Sequence, residues 1–197
     1  MATQDTFHPT YDKEGIKELQ SNPALAIETI MDMYGDEIKR LVFAYVKNSA
    51  DTDDVTQEVF VTIYQKLNTF KGNSSLKSWI YSIAINKCKD YLRSWHARNK
   101  RLREKLITSS HTMKKEEITP EEQALQRDHS SELFRTVMDL PIKYREIIIL
   151  FYFKELSTGE ISKILDMNEA TVRTRLTRGR QKLKECLSSE KGGVYRG

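Results

Sequence analysis

The stretch S-T-G-E-I-S-K-I-L-D-M-N-E-A-T-V-R-T-R-L-T-R-G-R-Q-K-L, Ser157–Leu183, decides how this chain is read. Ser157 and Glu160 have the spacing of a capping box, in which two orphan backbone N–H groups at a helix start are satisfied reciprocally. Apolar Ile161, Ile164 and Leu165 follow at helical intervals, and Asp166-Met167-Asn168 interrupts them with a tight polar turn. Asn168 is a suitable N-cap for a second helix. Ile161, Ile164, Leu165, Met167, Val172 and Leu176 would pack the two helices together. The pattern predicts a helix-turn-helix whose second helix enters a DNA major groove.

At 100° per residue, Val172, Leu176 and Leu183 of that second helix fall within ~40° of one another and define its buried stripe. Thr174 lies opposite, flanked by Thr171, Arg178 and Gln181, with Thr177 further round. Thr174 and Arg178 are expected to point into the groove. Arg173 and Arg175 stand on the two flanks, in reach of phosphates on the groove walls, with a base edge as a second target for Arg173. Arg180 hugs the apolar stripe and is expected to be structural. The bland alternative is a solvated basic helix, but the turn, the cap and the preceding helix all favour the first reading. Gly179 stands where a helix gains nothing from glycine.

Outward from this motif, the 197-residue chain is 39% hydrophobic and 30% charged, with four prolines and eight glycines, a composition suited to helices. No apolar run approaches the ~20 residues of a membrane span, and the N-terminus lacks the basic and apolar segments of a signal peptide. Cys88 and Cys186, far apart and outside any metal-like spacing, read as reduced thiols in a cytoplasmic protein without direct membrane insertion. The net charge of +4 is unevenly spread: residues 86–105 carry eight Lys/Arg against two acids, and residues 171–184 carry six against none. Residues 51–58 carry four acids and no base. Two separated basic segments suggest two places where a polyanion is gripped.

A polar leader (1–22) precedes a helical pattern through Ala24, Ile27, Ile30, Met31, Tyr34, Ile38, Leu41, Val42 and Tyr45. Lys47-Asn48-Ser49 breaks it. A second helix begins in acidic sequence, where Asp51, Asp53 and Asp54 complement the helix dipole, and continues through Val55, Val59, Phe60, Ile63 and Leu67. A polar loop with Gly72 and Asn73 leads to Ser75 as N-cap of a long helix from Leu76 to about Arg98. Residues 99–128 read as a charged linker. Helical spacing returns at Leu133, Phe134, Val137 and Leu140, and Pro141 starts a helix through I-I-I-L-F-Y-F (147–153), with a strand as the lesser alternative for this β-branched run. The expected fold is all-α: two small helical domains, 23–98 and 129–187, joined by a flexible linker, with a tail over 188–197.

Two blocks carry a resemblance. L-P-I-K-Y-R-E-I-I-I-L-F-Y-F-K-E-L-S-T-G-E-I-S-K-I-L-D-M-N-E-A-T-V-R-T-R-L-T-R-G-R-Q-K-L resembles the fourth domain of bacterial extracytoplasmic-function (ECF) sigma factors. D-D-V-T-Q-E-V-F (53–60) and F-K-G-N-S-S-L-K-S-W-I-Y-S-I-A-I-N-K-C-K-D-Y-L-R (70–93) resemble their second domain, a helical bundle. The resemblance implies a protein that binds core RNA polymerase, at the clamp helices of its largest subunit and the flap of its second subunit. It also implies reading of the minus-ten and minus-thirty-five promoter elements and regulation by an anti-sigma factor. It assigns Arg173, Thr174, Thr177 and Arg178 to the minus-thirty-five element, and Asp54, Gln57 and Glu58 to the clamp helices. Ser82, Asn86, Lys89 and Arg93 share a polar face of the long helix, and Asn86 matches the position that reads a minus-ten base. The loop from Phe70 to Ser75 matches the one that captures a base flipped from the non-template strand, with Phe70 and Asn73 as candidates. Trp79 matches a core position. Ala170 and Gly179 depart from a common glycine and a common alanine.

One rival is a helix-turn-helix regulator acting without polymerase, but the first half offers the acidic docking helix rather than a sensor domain. The other, a recombinase-like enzyme, needs a catalytic nucleophile with supporting arginines, and the first half shows no strand pattern and no such cluster. No catalysis, metal or cofactor is expected.

Overall fold

The computed structural model describes residues 13–106 and 132–192. Four helices form an N-terminal lobe: α1 (Lys13–Ser21), α2 (Pro23–Val46), α3 (Ser49–Lys66) and α4 (Leu76–Leu106), with a 3-10 turn at Leu67–Thr69. Four more form a C-terminal lobe: α5 (Glu132–Asp139), α6 (Ile142–Ile148), α7 (Thr158–Leu165) and α8 (Glu169–Gly192). The all-α expectation holds, and the described residues contain no strand.

Local chemistry sets the corners. Asn22 accepts from the Leu25 N–H and Pro23 occupies the first turn of α2, where a missing N–H costs nothing. Lys47 ends α2 in the left-handed region (φ 59°), and the next residue, Asn48, caps α3 by accepting from the Asp51 N–H at 2.9 Å. Helix therefore passes to helix through a two-residue corner. Ser75 Oγ accepts from the Ser78 N–H at 3.1 Å, beginning α4 where the sequence predicts.

α2, α3 and α4 pack on one another around Ile30, Tyr34, Ile38, Leu41, Val59, Ile63, Ile80 and Ile85. In the C-terminal lobe, α8 crosses α6 and α7 over Ile147, Ile148, Ile161, Val172 and Leu176. These cores join into one apolar cluster, with α7 packed on α4.

The structure departs from the sequence boundaries at two points. α1 lies inside the segment read as a polar leader, and it buries Ile16 and Leu19. α4 runs on to Leu106, into the segment read as linker; linker residues 107–128, leader residues 1–12 and tail residues 193–197 lie outside the described residues. The β-branched run is helical but widens to a π-turn at Ile149–Phe153, where the Lys154 N–H donates to the Ile149 carbonyl at 3.1 Å. The extra residue in that turn leaves Tyr152 and Phe153 exposed while Ile149 and Leu150 stay buried.

Candidate nucleic-acid interface

The helix-turn-helix forms as its caps dictate. Ser157 Oγ accepts from the Glu160 N–H, and the Glu160 carboxylate accepts from the Ser157 N–H at 2.9 Å, completing the capping box. Asp166 turns the chain in the left-handed region (φ 51°), and Asn168 Oδ1 accepts from the Ala170 N–H at 2.8 Å to start α8. Val172, Leu176 and Gly179 are buried and Leu183 is half-buried, whereas Arg173, Thr174, Thr177 and Arg178 are exposed together on the outer face.

Each arginine of α8 has a different environment. Arg173 pairs with Glu169 at 2.8 Å, one turn back. Hydrogen bonds from Thr158 and then from Arg173 hold the Glu169 carboxyl below the usual range. Arg178 is exposed beside Thr174, whose hydroxyl donates back to the Ala170 carbonyl at 2.9 Å. Arg180 donates to the Tyr152 hydroxyl at 2.7 Å and lies 5.4 Å from the Phe151 and Tyr152 ring centres, a packed setting that suits a structural role. Arg175, expected on a groove wall, instead turns half-buried toward Glu146 at 3.5 Å. Gly179 meets Ile148 and Tyr144 where α8 crosses α6; a Cβ there would sit 3.2 Å from Ile148 Cγ1. Close helix approach accounts for this glycine.

In the N-terminal lobe, Asn86 and Arg93 are exposed and Ser82 and Lys89 half-buried along α4, and Arg93 pairs with Asp90. Asn73 stands exposed at the tip of the loop. Phe70 does not join it: its ring is buried with its centre 5.2 Å from that of Trp79, so no face remains for stacking a base. Trp79 packs against the core, whereas Trp95 is 43% exposed.

Asp54, Gln57 and Glu58 are exposed on α3, and Glu58 lies 3.5 Å from Lys87 of α4. Gln57 also borders a groove of about 660 Å³ between α2 and α3, floored by Ile27, Phe60, Met31, Val61 and Tyr64. Met31, Val61 and Tyr64 are each about half exposed. Sequence reasoning placed Met31 in the core stripe and did not single out Val61 or Tyr64. The available signal was that both sit off the Val55–Val59–Ile63 stripe.

A second polar cluster lies between the lobes. The Tyr45 hydroxyl donates to Glu146 Oε2 at 3.1 Å, and Arg175 faces Oε1. Burial pushes the Glu146 carboxyl above its ordinary range, against the pull of Lys89, Tyr45 and Arg175. Lys154, buried in the C-terminal lobe, lies 5.9 Å from the Tyr81 ring centre of the N-terminal lobe.

Known proteins share this arrangement. Residues 30–98 match the Sigma-70 region 2 family, and residues 130–183 match Sigma-70, region 4. The chain is 31% identical over 179 residues to the ECF RNA polymerase sigma factor SigW of Bacillus subtilis, covering 89% of this chain and 96% of that one. It is 32% identical over 174 residues to the ECF RNA polymerase sigma-E factor of Escherichia coli, covering 86% and 91%. The fold is similar to that of CnrH, solved in complex with the cytosolic domain of CnrY, with a TM-score of 0.62 and 21% identity over 88% of this chain and 95% of that one. It is also similar to the sigma factor RpoE, solved with the anti-sigma factor NepR from Bartonella quintana, with a TM-score of 0.58 and 19% identity over 94% and 100%. With region 2 on the α2–α4 lobe, region 4 on the helix-turn-helix lobe, and relatives matched nearly end to end, this chain belongs to the ECF sigma factors of bacterial RNA polymerase.

Proposed function

We propose that this chain binds core RNA polymerase and directs promoter-specific transcription initiation, reading the minus-thirty-five element with α8 and the minus-ten element with α4 and the loop before it. One observation carries the reading: two lobes in family order each expose a basic face, and the first also carries an acidic helix beside an apolar groove.

Arg173, Thr174, Thr177 and Arg178 are the minus-thirty-five contacts of this reading. Arg175 joins them only when it leaves Glu146. Asn73, Asn86, Lys89 and Arg93 serve the minus-ten element, with Phe70 supporting the loop from within. Asp54, Gln57 and Glu58 dock on the clamp helices, and the groove along Met31, Val61 and Tyr64 extends that surface with apolar area. The exposed Leu133, Tyr152 and Phe153 are the apolar surface offered to the flap of the second subunit. The chain works in the cytoplasm without catalysis or cofactor of its own. No helix among the described residues is long and apolar enough to cross a membrane. Burial pushes the Cys88 thiol up to about 12, which suits an inert, reduced side chain. One similar fold was solved with an anti-sigma factor, and an anti-sigma factor covering the groove is the regulator expected here.

A regulator acting without polymerase leaves the acidic helix and its groove unused. Run-off transcription with purified core polymerase on a genomic promoter library decides the matter. Promoter-specific transcripts that require this chain are expected, and their absence on every promoter would sink the proposal.

A further inference from the structure

α1 precedes the residues matched to region 2, yet it holds the loop that leads into α4. Gln20 Nε2 donates to the Phe70 carbonyl at 2.9 Å and to the Leu67 carbonyl at 3.2 Å. These two acceptors bracket the 3-10 turn, so a single amide group sets the direction in which the chain leaves Phe70. One turn earlier on α1, Ile16 covers the backbone of Gly72: a Cβ built on Gly72 would lie 2.5 Å from Ile16 Cδ1. Gly72 itself adopts φ 71°, a conformation that favours glycine. The Phe70 ring anchors the loop against Trp79, and Ser75 ends it as a helix cap. Only the tip, Lys71 to Asn73, is exposed.

We propose that α1 is a positioning element for minus-ten recognition: through Gln20 and Ile16 it presets the backbone of residues 70–73, and base discrimination there depends on Gln20, which touches no DNA. The proposal rests on reading loop 70–75 as part of the minus-ten site. Taking a base out of the stack already costs free energy. A loop that had to order itself at the same moment would add a conformational entropy cost and weaken the difference between bases. A lid over the core would explain the burial of Ile16 and Leu19, but it requires no amide aimed at two loop carbonyls.

The test uses the full chain assembled with core polymerase. Gln20→Leu keeps the side-chain bulk and deletes both donors, and Gln20→Glu sets a carboxylate against the same two carbonyls. The probes are single-stranded non-template minus-ten oligonucleotides with each base at each position, from a promoter found by run-off transcription, and a duplex minus-thirty-five fragment. At the position read by the loop, base preference should fall about fivefold in Gln20→Leu and about tenfold in Gln20→Glu. Minus-thirty-five affinity should stay within about twofold. The role of α1 is overturned if base preference is unchanged in both variants. It is equally overturned if base preference, minus-thirty-five affinity and thermal midpoint decline together, which marks general destabilisation. Asn73→Ala separates the two layers. If it abolishes base preference while the Gln20 variants do not, only the α1 proposal fails; if it too has no effect, the assignment of the loop fails.

Discussion

The Tyr45 hydroxyl and the Glu146 carboxylate meet at 3.1 Å between residues 101 positions apart, joining the two lobes through a buried hydrogen bond. Arg175, on the flank of α8, faces the other Glu146 oxygen at 3.5 Å. Elements centred ten and thirty-five base pairs from a start site lie roughly 85 Å apart at ~3.4 Å per base pair. Lobes held together at Glu146 cannot occupy both. On the proposed reading, engagement of a promoter therefore requires this contact to part.

Replacing Glu146 by alanine leaves the Tyr45 hydroxyl and the Arg175 guanidinium without their acceptor. Lobe packing should weaken by about 1–3 kcal/mol. Fluorescence energy transfer between labels on the two lobes should fall, and binding of a minus-thirty-five duplex by the free chain should strengthen as Arg175 is released. Unchanged transfer efficiency would rule out Glu146 as a tie between the lobes.

The same packing should depend on pH through Lys154. Burial lowers its ammonium to about 8, with Glu37 opposing the change and Arg40 and Lys77 adding to it. The packed state then holds fewer protons at Lys154 than the separated state. The stability linked to this group is fully present above its ordinary value of 10.5 and is lost as pH falls through about 8. The buried hydroxyls of Tyr45 and Tyr81 are pushed upward and so keep their protons below pH 10. Lobe association should therefore strengthen between pH 8 and about 9.5, and Lys154→Met should flatten that slope in the same energy-transfer measurement.

Arg178 and Arg180 are two residues apart and should behave oppositely. Arg178→Ala removes an exposed side chain beside Thr174 and should cost about 1–3 kcal/mol of discrimination at one minus-thirty-five base pair. Arg180→Ala loses the Tyr152 hydrogen bond and ring contacts, and should lower the thermal midpoint of the chain while leaving base preference intact. Arg173→Ala should reduce the salt slope of DNA binding by about one. Equal loss of discrimination from Arg178→Ala and Arg180→Ala would contradict the placement of the helix face.

Gly179 should tolerate no branched side chain. Alanine there gains roughly 1 kcal/mol of helix propensity, but its Cβ would press on Ile148 at 3.2 Å, so the two effects oppose one another. Gly179→Val adds bulk at the same crossing and should destabilise the chain by about 1–3 kcal/mol in urea unfolding. A neutral result would mean that α6 and α8 can separate at little cost.

The helices other than α1, the caps at Ser75, Ser157 and Asn168, and the exposed face of α8 were legible from sequence, because each depends on residues within about four positions of one another. The Ser157–Glu160 capping box, the Asn168 cap and the division of Arg178 from Arg180 are local geometry of this kind. Arg175, Phe70 and Gly179 were not legible in the same way. Arg175 turns to Glu146, 29 positions away, and the Phe70 loop is held by Gln20, 50 positions away. Gly179 is set by Ile148 on another helix. Helical periodicity says which side of a helix is apolar, and so it determined that this chain forms two helical lobes, the second with a helix-turn-helix. It carries no information on which distant group meets a given side chain. Close packing between elements decided that, and with it which arginine is tied down, which aromatic ring is buried and what holds the loop before α4.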